Sequence, residues 1–214
     1  MRRQLFFEIF AASLSAILLE IAYTRIFSFK VYYSFTYLVI GLGLMGLGAG
    51  GALLAASRRL ADDQIRGRRP AGGPADDQIR GRRPAGGPAD ERLVPLVCLL
   101  GAISVLVGYL VAAKVQLNAS ALDSELFEVL KLLLISVLIA LPFVAVGFVV
   151  SLILSARIEA ANRLYAADLI GAGLGCSLSI ALLQLLDPPR VVLLSGALLA
   201  VSYTHLTLPT ILRV

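Results

Sequence analysis

Ionisable side chains interrupt stretches of sequence that are mostly hydrocarbon-like. Glu20 and Arg25 interrupt LFFEIFAASLSAILLEIAYTRIF at residues 5–27, and Asp168 opens the apolar stretch at residues 164–186. A charged group at bilayer depth costs roughly 3 kcal/mol or more unless it faces protein or water, so each marks a functional or anchoring position. The chemistry open to two such carboxyls is proton or cation relay, docking of a partner, or hydrogen-bonded anchoring between helices.

Helical geometry sorts these groups. Ser13, Glu20 and Thr24 follow each other at i, i+7 and i+11, which places them on one face turned into a bundle. Arg25 is offset from Glu20 by roughly 140° and is not its same-face partner. It lies close enough to the outer interface to extend its guanidinium to water, and Glu8 is expected to do the same at the inner one. At 1.5 Å per residue, Asp168 enters about 6 Å from the inner side and Glu20 about 22 Å, so the two acids should not pair.

Glycines form the second pattern. Gly41-Leu-Gly43-Leu-Met-Gly46 has the spacing of a dinucleotide fingerprint, but it sits mid-way through an uncharged span where no pyrophosphate could reach it. Close helix packing fits instead. Gly43, Gly46 and Gly50 share a face, and Gly171 and Gly175 repeat the small-x-x-x-small spacing, so these two helices are expected to pair. The same faces could serve self-association.

The elements that must hold these residues are membrane spans. The 214 residues are 58% hydrophobic and 15% charged, with a mean hydropathy of +0.87. That is well to the apolar side of soluble domains. Stretches 5–27, 31–56, 93–113, 132–154 and 164–186 are each long enough to cross a bilayer as a helix. A sixth begins at Val191 and keeps its apolar character only to Val201. The expected fold is all-α, a polytopic transmembrane helix bundle of five full spans and a shortened sixth, with lipid as its first partner.

Lysine and arginine set the orientation. With the N-terminus inside, the inner segments hold 13 of these residues and the outer ones 5. The bias places the N-terminus in the cytoplasm. The inner stretch 57–92 contains ADDQIRGRRPAGGP twice in tandem and is expected to be a disordered Arg-rich loop between the first two spans (1–56) and the remainder (93–201). Its six acids dilute any lipid-binding patch, so topology explains its arginines better than lipid or nucleic acid does. Residues 202–214 break the membrane pattern abruptly and read as a non-native tail, which takes His205 out of the functional account.

Cys98 and Cys176 lie in apolar spans with no second cysteine or histidine beside them, so neither a disulfide framework nor a metal site is expected. Asn118-Ala-Ser120 fits a glycosylation acceptor by spacing alone. No hydrolase triad or phosphate loop is legible, and the segment itself offers no catalytic or cofactor-binding residue.

Three segments together resemble a known family. They are LSAILLEIAYTRIFS, the glycine-rich second span, and RLYAADLIGAGLGCSLSIALLQLLDPPR. The pattern joins the E-x-x-x-x-R pair (Glu20, Arg25), the Gly41–Gly48 run, a central Pro142, and Tyr165-Ala-Ala-Asp168 leading into Gly171 and Gly175. It resembles the N-terminal membrane domain of bacterial spermidine synthase-like proteins, over roughly residues 7–56 and 132–199; the repeat loop departs from the pattern. The resemblance implies an inner-membrane anchor for a cytoplasmic, Rossmann-like aminopropyltransferase domain that lies outside this segment and acts on putrescine with decarboxylated S-adenosylmethionine. The rival reading is a small proton- or cation-coupled transporter, and a third is a structural subunit that dimerises through its glycines.

Overall fold

A computed structural model describes residues 2–30, 35–67, 88–117, 126–156 and 160–211, with side chains described over 5–30, 35–60, 93–117, 126–156 and 160–201. Among these residues there are six helices and no strand. They are α1 (Arg2–Lys30), α2 (Phe35–Gly67), α3 (Pro88–Lys114), α4 (Leu126–Ala156), α5 (Ala161–Leu185) and α6 (Pro188–Ile211). Five carry apolar stretches long enough to cross a bilayer: Leu5–Lys30, Phe35–Leu60, Leu93–Lys114, Leu126–Ala156 and Ala161–Leu185. A helix is the natural solution there because it satisfies its own backbone polar groups where lipid offers no partner. The chain is therefore built as an integral membrane protein, an all-α bundle.

The shape of the bundle follows from which helix touches which. α1 is its hub, packed extensively on α5 and α6 and more lightly on α2 and α4. α4 is wedged between α2 and α3, and α3 leans on α6. α5 rests almost entirely on α1, and most of its surface faces outward. Two apolar clusters fill the interior. The larger gathers Leu18, Leu19 and Tyr23 of α1 with Val105, Phe143 and Val191. The smaller, around the N-terminal end of α1, gathers Ile9, Leu54, Val94, Cys98, Leu152 and Leu164.

Hydrogen bonds pin the hub to its neighbours. The Tyr23 hydroxyl donates to the Val105 carbonyl at 3.2 Å, and the Ser15 hydroxyl donates to the Ser195 carbonyl at 2.7 Å. At the far end of α1 the Lys30 ammonium donates to the carbonyls of Ala112 and Ala113, the latter at 2.9 Å. Those carbonyls belong to the last turn of α3, which has no intrahelical donors left, so the lysine caps the helix and complements its dipole. Asp187 precedes Pro188 at the start of α6, and its backbone carbonyl accepts from the Arg190 N–H at 2.9 Å. Proline fits that first helical position because its missing N–H would find no partner there.

Several helix ends run past the sequence expectation. Residues 57–67, expected to belong to the disordered loop, extend α2, and α3 begins at Pro88. SRRLADDQIR holds no proline or interior glycine, so the ladder runs on until Gly67. Most of the tandem repeat, residues 68–87, lies outside the described residues, as does Asn118. Likewise α6 continues past Val201 to Ile211. The side chains of 202–211, His205 included, lie outside the described ones.

Candidate functional site

Glu8 and Glu20 lie on α1, and Asp168 of α5 is bonded to it. Glu20 is half-buried and faces α2 at Gly43: a Cβ placed on that glycine would lie 3.3 Å from the Glu20 Cδ and 3.4 and 3.5 Å from its two oxygens. The bare glycine thus makes the niche in which the carboxyl rests. Two motifs that are separate in sequence, the acid of the first span and the glycine run of the second, meet in one contact.

Asp168 sits on the first turns of α5 and accepts a hydrogen bond from the Ser13 hydroxyl. Ser13 and Glu20 are seven residues apart, about 10 Å along the helix. The two acids are therefore held at different depths on one helix, by different neighbours, and do not pair. The polar stripe expected on α1 is shared out accordingly. Ser13 turns to α5 and Glu20 to α2, while the Thr24 hydroxyl donates back to the Ile21 carbonyl of its own helix at 2.7 Å.

Arg25 is exposed, its guanidinium 5.1 Å from the centre of the Phe29 ring. It takes no part in the Glu20 niche, and a guanidinium over an aromatic face at the end of a span suits an interfacial position.

Glu8 corrects the sequence expectation. It does not reach toward the interface; it is only 1% exposed, and neither carboxyl oxygen has a hydrogen-bond partner. The reason is rotational. Ala12, Ser15 and Leu19 follow Glu8 at i+4, i+7 and i+11, and all are buried. Proximity to the end of a helix does not free a side chain on the inward face. That face was legible in the sequence, had the residue been read by angle rather than by depth.

The glycine faces are also redistributed. Gly43, Gly46 and Gly50 do not pair with Gly171 and Gly175. A Cβ on Gly46 would lie 2.7 Å from the Phe143 Cβ and 2.9 Å from the Ala140 carbonyl oxygen, so this face packs on α4. Gly50 abuts Gly147, whose own missing side chain admits the Leu47 backbone. Gly171 and Gly175 instead press on α1, at Phe10, Leu14 and Ile17. Glycine spacing shows that a helix presents a close-approach face; it does not say which neighbour fills it. Gly147 went unnoticed because it has no second glycine at four-residue spacing in its own helix.

Compared with known protein families, with curated proteins and with solved structures, the chain matches none.

Proposed function

We propose that this chain is the membrane domain of a bacterial spermidine synthase-like protein, set in the inner membrane with its N-terminus in the cytoplasm and inactive by itself. In that reading it anchors a cytoplasmic aminopropyltransferase-like domain that follows in the same polypeptide. The supporting observation is the seat of Glu20 on Gly43, because those residues belong to two of the segments that carry the resemblance. The third segment joins through Asp168, which accepts from Ser13 on the same helix. Parts of all three segments thus meet around one helix, which supports reading them as one unit.

Sequencing the intact gene downstream of Val201 tests the proposal. The expected frame encodes a glycine-rich Rossmann motif and an acidic pocket for a diamine; a frame with neither would sink it. A reporter enzyme inserted between residues 68 and 87 tests the orientation and should be active only in the cytoplasm.

The rival reading, a small proton- or cation-coupled transporter, is favoured by one observation, the retention of inward carboxyls at two depths of α1 and its neighbour. Reconstituted vesicles carrying Glu20→Gln should then lose uptake; uptake equal to wild type would remove Glu20 from any transport mechanism.

A further inference from the structure

Glu8 stands apart from the Glu20 and Asp168 pair and is used by neither reading above. Its carboxyl is 1% exposed and both oxygens lack a hydrogen-bond partner. An unpaired charge in such surroundings costs far more than a neutral polar group. The smaller apolar cluster surrounds this end of α1. α4 contributes Val149, Leu152 and Ile153, α2 contributes Leu54, and α5 contributes Leu164. α3 contributes Val94 and Cys98.

Of the other charged groups that these elements carry near the cluster, Arg59 and Arg163 are exposed and turned away from the interior. Arg58, one turn beyond Leu54, has a partner of its own, and Asp168, one turn beyond Leu164, is bonded to Ser13. Among the described residues nothing compensates Glu8.

The donor set selects the ligand. Hard metal cations take six or more oxygens, or keep several waters. Glu8 offers two carboxyl oxygens, and no group of three or more His, Cys, Asp or Glu gathers among the described residues. A proton needs one oxygen. We infer that Glu8 is a proton-binding site, the neutral acid of the packed bundle, which exchanges its proton with water at the N-terminal end of α1. From Leu5, where the apolar stretch starts, that path is about 5 Å along the axis.

Dicyclohexylcarbodiimide, an apolar reagent selective for protonated carboxyls in membranes, tests the site on the full chain in detergent and in native vesicles. The acid O–H adds across one C=N bond, the carboxyl oxygen bonding to carbon and the proton passing to nitrogen, and the adduct rearranges to an N-acylurea. Peptide mass analysis should place the adduct chiefly on Glu8, fading as the medium is made alkaline. A water-soluble carbodiimide should prefer the exposed Asp187. Glu8 left unmodified by the apolar reagent while Asp187 or Glu20 is modified would overturn the assignment. Glu8→Gln, a neutral isostere, should abolish the adduct and melt with the wild type. A Glu8→Gln protein that no longer folds would show that the ionised carboxylate is needed, and would equally overturn it.

Discussion

The α2–α4 contact and the α1–α5 contact are both built on glycines, yet they are different joints. In the first the glycines are reciprocal: Gly46 and Gly50 admit α4, and Gly147 admits α2. In the second they are one-sided: α5 brings Gly171 and Gly175, while α1 has no glycine and answers with Phe10, Leu14 and Ile17. The surroundings differ too. α4 is held by α2, α3 and α1, whereas α5 has little besides α1 to hold it. Close approach is shared, but the freedom to relieve a new side chain is not. Where lipid supplies no hydrophobic drive between helices, that freedom decides how much a lost fit costs.

The sharpest break should come at the reciprocal joint. Gly50→Leu or Gly147→Leu drives a side chain into backbone atoms that cannot turn aside, and should cost roughly 3 kcal/mol or more. Thermal unfolding in detergent should show an early transition or no folded fraction; a wild-type melting curve would refute the reciprocal packing. Gly171→Leu should cost less, about 2 kcal/mol, because α5 can back away into lipid. If Gly171→Leu proved as damaging as Gly50→Leu, α5 would be held more firmly than its contacts imply.

Ser13→Ala probes the same joint through its hydrogen bond. It leaves Asp168 without its donor and should lower stability by about 1 to 2 kcal/mol. In a double-mutant cycle, Asp168→Asn should then add little; full additivity of the two changes would argue that the pair is not coupled.

Smaller still is Gly43→Ala, where the new methyl meets only the tip of the Glu20 side chain. Because that tip can swing, a loss under about 1 kcal/mol is expected, with unchanged folded yield. Gly48→Ala and Gly173→Ala meet nothing within 4 Å and should be neutral to within about 0.5 kcal/mol. A large effect at either position would reveal a covering surface, a second copy of the chain being the first to examine by cross-linking.

These contrasts also show how far the sequence could be read. The spans were legible because length and apolarity are set by the bilayer, and all five recur as helices. The close-approach faces of α2 and α5 were legible as spacing. Their partners were not, because the spacing of one helix contains no information about its neighbour. Depth along the axis separated Glu20 from Asp168, and their separate neighbours, Gly43 of α2 for Glu20 and Ser13 of α1 for Asp168, agree with it. Depth alone misplaced Glu8, whose rotation about the axis decides its fate. The helical extension through residues 57–67 was hidden by the charge and the Gly-Pro content of the repeat as a whole, although residues 57–66 contain neither glycine nor proline.

The position of α1 at the hub has a consequence for how the protein is made. The hydrogen bond from Ser13 to Asp168 joins residues 155 positions apart. At ribosomal rates of about 5–20 residues per second, the serine waits roughly 8 to 30 s for its acceptor. Glu20 waits far less, since Gly43 arrives with the very next helix. Gly43 is therefore the first neighbour the deeper acid meets during translation, on a helix made long before α5 and α6.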